Sequence, residues 1–426
     1  MVIVAGAGPT GLALACGLRQ FGVDEVRVVD AADGPATTSR ALGVQPRGAE
    51  VLARLGALGD LPEKAIRMEA LRVNGKKRLD LAPMRDAGAL IASQTWVEQR
   101  LRDRLSELGV AVEWNTPVAS VRVRGDDWLV GCDGAHSAVR KIAGISFDGE
   151  AVMENFLLRD LHAGWDLDRS SVHVYLEQGH LTAIFPLPGD DLWRVMSPDG
   201  GRWTPGPIGA VDWESTFRIH RRLASAYRRG NVLLAGDAAH IHSPLGGQGM
   251  NTGLGDAENL AWKLALVVRG RAAASLLDTY ESERRPVAAK VLGSTTPATR
   301  ISMGSGRVAR VARGLLFPLL GLPPVQRGLI RFTSQLGVRY SGPVGGPRVP
   351  AFARVGRWVL AGPTGCLEVA RERLGDVVHH ERAGDTLLVR PDGHLAWRGP
   401  SSPERLSAWL NEVLGAPATP RLTTRS

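Results

Sequence analysis

The chain has 426 residues, 44% of them apolar and 22% charged, with 51 glycines and a formal net charge of +9. That length exceeds one ordinary core, so two or three domains of a globular protein are expected; the basic residues are scattered and do not cluster with aromatics, which argues against a nucleic-acid partner. Cys16, Cys132 and Cys366 lie far apart and form neither a zinc pattern nor a disulfide framework, the apolar start lacks a basic leader region, and the apolar stretch 314–324 is short and broken by prolines; a reducing cytoplasm and no membrane span are expected.

Met1 to Val4 is a short apolar run of the kind a buried parallel strand needs, and it enters Gly6-Ala-Gly8-Pro9-Thr10-Gly11 and then a helical stretch, Leu12 to Arg19. A second apolar run, Val26 to Val29, ends on Asp30, nineteen residues after Gly11. Strand, glycine turn, helix, strand and acid together read as a dinucleotide-binding unit. Gly6 permits the turn, Gly8 lets backbone approach a pyrophosphate, Gly11 lets helix and strand pack closely, and Asp30 is placed to accept hydrogen bonds from a ribose. The phosphates belong at the helix N-terminus, where free N–H groups and the dipole favour negative charge.

After a polar loop come Arg40 and an expected helix at Ala49–Leu58. Weak alternation from Met68 to Leu81 suggests strands turning at Asn74-Gly75, and Gln94–Leu108 is an amphipathic helix followed by a strand at Val110–Trp114. Val118 to Val130 holds two strand-like runs joined by Arg124–Asp127. Then comes Cys132-Asp133-Gly134-Ala-His-Ser137-Ala-Val-Arg140, a strand end, a turn and a helix start. From Phe156 the pattern turns β, with runs at Ser171–Leu176, Leu181–Phe185 and Leu192–Met196, followed by a Gly/Pro-rich loop at Ser197–Gly209. Arg229–Ala235 is a further buried strand leading to Gly236-Asp237-Ala-Ala-His240 and to Pro244-Leu-Gly-Gly247-Gln248-Gly249-Met250-Asn251, ahead of a long helix at about Thr252–Arg269. Residues 275–340 look largely helical, broken at Pro286 and Pro323-Pro324. Ser341–Pro350 reads as a linker, and the tail alternates strand-like Trp358–Leu360, helix Leu367–Leu374, strands Thr386–Val389 and His394–Trp397, and helix Pro403–Leu414.

Three motifs, Gly6/Gly8/Gly11 with Asp30, the Asp133-Gly134 stretch, and Gly236-Asp237 with its glycine-rich helix entry, together resemble the class A flavoprotein aromatic hydroxylases of the para-hydroxybenzoate hydroxylase fold. The resemblance covers nearly the whole chain and implies an α/β fold: a Rossmann-like FAD-binding domain from 1–67, 94–148 and 228–290, an α+β substrate domain with an antiparallel sheet from 68–93 and 149–227, and a helical connector at 291–340. The tail, 347–420, resembles a small thioredoxin-like domain, and with Cys366 standing alone it is expected to fold by itself without redox chemistry.

By this resemblance FAD is held by Gly6, Gly8, Pro9, Thr10, Gly11, Asp30, Arg40, Gln94, Asp133, Gly236, Asp237, Pro244, Gly247, Gln248, Gly249, Met250 and Asn251. Arg40 would meet the pyrophosphate and Gln94 the flavin side. NAD(P)H would bind transiently, since the chain has no second glycine fingerprint. The implied activity is hydroxylation of a small aromatic or polycyclic phenol with oxygen, by way of a flavin hydroperoxide, in a cytoplasmic monomer or homodimer. Baeyer–Villiger insertion or antibiotic inactivation on the same scaffold, and a non-catalytic flavin- or ligand-binding protein, are the alternatives. Tyr175, Phe185, Trp193, Arg194 and Trp213 are candidate pocket walls, although sheet residues of this kind are often plain core. His240 and His242 look like bases but read better as packing residues. The connection between Val123 and Trp128 is shorter than the family pattern, and the Ser197–Asp212 loop lacks the helix expected there.

Overall fold

The computed structural model describes residues 1–39, 41–81, 89–177, 180–197, 203–242, 247–303, 311–312, 315, 319, 321–352, 355–381 and 383–415. Its centre is a six-stranded sheet in the order Arg228–Arg229, Val232–Leu234, Trp128–Gly131, Val2–Ala5, Val26–Val29, Val112–Glu113. Every neighbour pair is parallel except the hairpin at the first edge. A parallel sheet is covered on both faces, which is why Val2, Ile3 and Val4 are fully buried without alternation. The helix Pro9–Gln20 packs along the helix Gln248–Val268, and Gly17 is the contact point: a Cβ there would lie 2.7 Å from Cβ of Ala261.

The second sheet has eight strands, ordered His240–Ile241, Val211–Ala224, Phe147–His162, Leu192–Ser197, His180–Pro186, Ser171–Glu177, Ala70–Val73, Lys76–Asp80. Its strand pairs are antiparallel except Ser171–Glu177 with Ala70–Val73. The two longest strands, of 16 and 14 residues, escape the sequence reading in part because Val211–Ala224 is charge-rich. A small sheet of Gly43–Val44, Leu90–Ile91 and Ile66–Arg67 sits between these layers.

Local differences from expectation have local causes. The second helix runs Pro46–Leu55: Pro46 presets its first turn, and Gly56 at φ +74° closes it. Of the two strands expected between Val118 and Val130, only Trp128–Gly131 forms. Val118–Ser120 is a 3-10 turn, and Asp127 closes a tight loop by accepting from the Arg124 N–H at 2.8 Å. Pro286 does not break its helix, which runs from Asp278 to Met303 with Tyr280, Glu283, Arg284, Ala288 and Val291 buried along it; packing outweighs the lost backbone bond.

The C-terminal sheet is ordered Val378–Glu381, Trp358–Ala361, Thr386–Val389, Leu395–Gly399, with the first pair parallel and the others antiparallel. Helices Thr364–Leu374 and Pro403–Leu414 accompany it. Its apolar cluster is not self-contained. Trp262, Leu266, Ala272 and Leu276 belong to it together with Trp358, Leu360, Leu367 and Leu406. Trp262 meets Trp358 edge-on at 5.1 Å. The tail therefore shares its core with the long helix that begins at Gln248.

Candidate flavin site

At the C-terminal end of Val2–Ala5 the chain turns on Gly6, at φ +106°, where a Cβ would stand 2.3 Å from the Cys132 carbonyl oxygen. Gly11 is tighter still, since its Cβ would lie 1.9 Å from the Gly6 oxygen. Both glycines are thus demanded by the protein's own backbone. Gly8 differs: it is extended (φ −77°, ψ −178°), and a Cβ there would meet nothing within 4 Å. The missing side chain opens onto space beside a helix start that no side chain caps. Pro9 occupies the first turn, where its missing N–H removes nothing. The Asp30 carboxylate accepts from the Ala7 N–H at 2.7 Å and the Ala32 N–H at 2.9 Å, so it pins the glycine turn to the end of the second strand.

Thr10 is wedged between two glycines. A Cβ on Gly236 or on Gly253 would fall 2.6 Å or 2.2 Å from its hydroxyl. Its side chain thus packs the first helix against the third motif instead of facing outward. Asp133 likewise turns inward to its own loop. It accepts from the Ser137 hydroxyl at 2.5 Å and from the Ala138 and Val139 N–H groups at 2.7 and 3.1 Å, capping the helix Ala138–Ile142. Arg140, which sequence reasoning passed over, joins the second motif to the third. It is buried, donates to the Ala238 carbonyl at 2.8 Å and lies 3.9 Å over the Phe147 ring.

The strand Val232–Leu234 delivers Gly236, at φ +62° and buried, and Asp237, which is exposed at the strand's C-terminal end. Arg40 and Pro244 lie outside the described residues. Gly247, at φ +61°, starts the helix Gln248–Val268 without a side-chain cap, so its first N–H groups have no partner within the helix. Gly249 is next to His242, and Met250 is 9% exposed in the main core. The Asn251 side chain is fully engaged: it donates to the Gly43 and Gly247 carbonyls at 2.8 and 2.7 Å and accepts from the Gln45 N–H at 2.9 Å. It therefore stitches the helix entry to the segment Gly43–Gln45.

Below this entry runs a polar stripe that the sequence reading missed. Gln248, Thr252, Asp256, Asn259 and Lys263 recur at helical spacing and are all 0% exposed. Each is answered from outside the helix. Gln335 donates to the Gln248 oxygen at 2.6 Å and to the Thr252 hydroxyl at 3.0 Å. Arg284 and His240 hold Asp256 at 2.7 and 2.6 Å, and Asp256 in turn accepts from the Gly236 N–H at 3.1 Å. Burial alone would raise the Asp256 carboxyl, but the Arg284 guanidinium and the His240 ring outweigh it and keep it below the ordinary range. Glu283 takes Asn259 and Lys263 at 2.7 and 2.9 Å and is itself clasped by Arg390 of the C-terminal sheet at 2.7 Å. Burial pushes the Lys263 ammonium down to about 7 against the pull of Glu283. His240 is thus a positioned, buried partner of Asp256, and its place speaks against a role as a base.

Gln94 begins the helix Gln94–Glu107; its N–H donates to the Ser39 hydroxyl at 2.7 Å and its side chain to Glu98 at 2.8 Å. Burial raises the Glu98 carboxyl despite that bond. Beside this helix start is a cavity of about 420 Å³ lined by Ser39, Leu42, Trp96, Leu192, Arg194 and Trp213, among others. Arg194 is held by both oxygens of Asp160, at 2.6 and 2.7 Å, and stands 5.2 Å over the Trp213 ring. Of the five candidate walls, Arg194 and Trp213 reach this cavity. Trp193 is core, its indole N–H donating to the Ala163 carbonyl at 3.0 Å. Tyr175 packs on Trp203 at 4.8 Å, and Phe185 packs against a small apolar cluster.

The residues present fit FAD. The open Gly8 and two uncapped helix starts suit a pyrophosphate and an electron-rich ring edge, and the segment from Leu42 to Gln45 links the second helix start to the cavity. Comparison with known proteins agrees. The FAD binding domain family matches residues 1–127, 122–198 and 204–295, and the family "Aromatic-ring hydroxylase, C-terminal" matches 353–417. The first match falls in three segments, of which the first two overlap at 122–127 and the last two leave 199–203 unmatched. A 6-methylpretetramide 4-monooxygenase of Streptomyces rimosus is 38% identical over 76% of the chain and 66% of its own length. A rifampicin monooxygenase of Rhodococcus hoagii is 33% identical over 96% of the chain and 98% of its own. That alignment spans 474 positions, more than the 426 residues here, so the relative carries segments this chain lacks. Among solved structures, the anhydrotetracycline hydroxylase OxyS from Streptomyces rimosus superposes with a TM-score of 0.82 at 30% identity, over 98% of this chain and 99% of that one. The chain belongs to the FAD-dependent aromatic-ring hydroxylases, a family of flavoprotein monooxygenases.

Proposed function

We propose that this protein hydroxylates an aromatic or polyketide-type phenolic substrate with oxygen, using NAD(P)H as a transient reductant. The observation that carries the reading is the cavity beside the start of the helix Gln94–Glu107: apolar walls of Leu42, Trp96, Leu192 and Trp213 around one charged pair, Arg194 with Asp160. Trp213 and Trp96 give the cavity aromatic surface suited to a planar ring, and Arg194 with Asp160 gives it a charged wall. The relatives that hydroxylate pretetramide and anhydrotetracycline point to the same substrate class.

When bound, FAD supplies the redox and oxygen chemistry. The protein's part is to place and to exclude. Gly8 and the two helix starts would seat the cofactor, with Asp237 at the end of its strand placed to meet cofactor hydroxyls. Arg194, fixed by Asp160, would set the charged wall against which the ring is oriented. Leu42, Leu187 and Leu192 line the cavity with apolar surface, which would disfavour water around a bound ring. A cytoplasmic monomer or homodimer completes the reading.

The test is anaerobic flavin reduction by NADPH in stopped flow, with and without phenolic and polyketide candidates. A substrate is expected to speed reduction at least roughly tenfold, a difference of about 1.4 kcal/mol in barrier. Equal rates with every candidate that binds would refute the reading. The rifampicin monooxygenase likeness supports oxygen insertion on an antibiotic as the second reading, and product analysis separates the two.

A further inference from the structure

Gln335 has an unusual combination of features. It follows the helix Pro323–Thr333, is 4% exposed, and sits at φ +57°, a left-handed conformation that side-chain-bearing residues rarely adopt. Helices commonly end in this conformation on glycine or asparagine, and a longer residue persists there only when its surroundings determine it. What the conformation achieves is visible in its side chain. The amide donates to the Gln248 side-chain oxygen at 2.6 Å and to the Thr252 hydroxyl at 3.0 Å. Those two residues lie in the first two turns of the helix capped by Gly247.

The neighbourhood fixes this amide from three sides. The Gln248 side chain also donates to the Thr333 carbonyl at 2.9 Å. The Thr252 hydroxyl donates to the Gln248 carbonyl at 2.8 Å, and the Thr252 carbonyl accepts from Arg284 at 2.9 Å. The Ser334 carbonyl, one residue before Gln335, accepts from the Arg47 N–H at 3.2 Å. Arg47 also reaches the Asp392 carbonyl at 2.7 Å. The left-handed residue is therefore anchored to the second helix and, through it, to the C-terminal sheet.

We infer that Gln335 is a positioning residue for the flavin, acting through Gln248 and Thr252 on the Gly247–Gly249 turn. Gly247 has no side-chain cap, and within its own helix Asn251 and Thr252 tie down only the Gly247 and Gln248 carbonyls of the entry. Gln335 adds to this from outside by locking the side chains of Gln248 and Thr252 in register. The strain of a left-handed glutamine buys an amide aimed at the turn, which a right-handed residue at the same place would direct elsewhere. This rests on the reading that the turn faces FAD.

The experiment uses Gln335→Gly and Gln335→Asn. Both residues accept the left-handed backbone, so both relieve strain while removing the amide or withdrawing it by one methylene. Apoprotein is melted thermally, and FAD is titrated by quenching of its fluorescence. The expected result is an apoprotein at least as stable as the parent, with FAD binding about tenfold weaker, equivalent to about 1.4 kcal/mol. The loaded variants are also expected to release more peroxide per nicotinamide oxidised. Parental FAD affinity in either folded variant overturns the proposal, and failure of both to fold overturns it too, because Gln335 would then serve the fold alone. Gly8→Val is the control: if it also retains FAD, the site assignment itself is wrong, whereas loss there with retention in the Gln335 variants rejects only the role given to Gln335.

Discussion

Gly8 and Gly11 are three residues apart in one turn, yet the structure assigns them opposite sensitivities. At Gly8 the backbone is ordinary extended chain and a Cβ has no neighbour within 4 Å. Gly8→Val loses a tolerated helix-cap residue, at roughly 1 kcal/mol, and gains about 0.4–1 kcal/mol from a stiffer unfolded chain. Its apoprotein is therefore expected to melt close to the parent. The added side chain fills the space proposed for the pyrophosphate, so the purified variant is expected to be colourless. At Gly11 the Cβ would stand 1.9 Å from the Gly6 oxygen. Helix and strand must separate, at about 1–3 kcal/mol or more before any cofactor is considered. Gly11→Ala is thus expected to lower the melting temperature of the apoprotein itself. A ligand at a hundred times its dissociation constant stabilises by about 2.7 kcal/mol, so the gap between apo and FAD-loaded melting is expected to be present in the parent and absent in Gly8→Val. Normal flavin content in Gly8→Val, or an apoprotein as unstable as that of Gly11→Ala, would refute the reasoning.

The carboxyls of Asp256, Glu283, Glu50 and Asp392 all lie below their ordinary values in the fold, because the arginines around them outweigh the effect of burial. The native state therefore binds fewer protons than the unfolded chain. Their stabilisation is complete above about pH 4.5, the ordinary glutamate value, and is lost as pH falls through the depressed folded values. Urea midpoints measured from pH 6 downward are expected to hold and then drop steeply below about pH 4.5, and a flat profile would contradict the assignment of these ion pairs. Cys366 is fully buried, and burial raises its thiol. Cys366→Ser is expected to leave NADPH turnover unchanged, and lost turnover would give the tail a redox part.

The legible portion of this molecule is the portion whose backbone constraints show in residue type. Gly6 and Gly11 announce a turn because no other residue fits there, and apolar runs such as Met1–Val4 announce buried parallel strands. What stayed hidden depends on contacts distant in sequence. Thr10 and Asp133 have the chemistry of ligand contacts, yet Gly236 and Gly253 receive the first and the start of the helix Ala138–Ile142 receives the second. Nothing local in Arg140 or Gln335 shows what each reaches across the fold. The polar stripe from Gln248 to Lys263 has a periodicity that could have been found: five polar residues at helical spacing on an otherwise apolar helix signal buried partners. The strand Val211–Ala224 was obscured by its charges, which pair across strands, as Arg159 does with Glu214 at 2.6 Å.

The apolar cluster joining Trp262, Leu266, Ala272 and Leu276 to the C-terminal sheet defines what can be exchanged between relatives. A splice at the Gly/Pro-rich stretch 341–350, the obvious seam in the sequence, would cut this cluster in two and separate Arg390 from Glu283. A donor tail grafted there would meet the wrong faces of two helices. The transplantable unit is the tail together with residues 259–284, so that both the tryptophan pair and the ion pairs travel intact. The antiparallel sheet, proposed here to carry substrate specificity, could then be recombined independently of the tail.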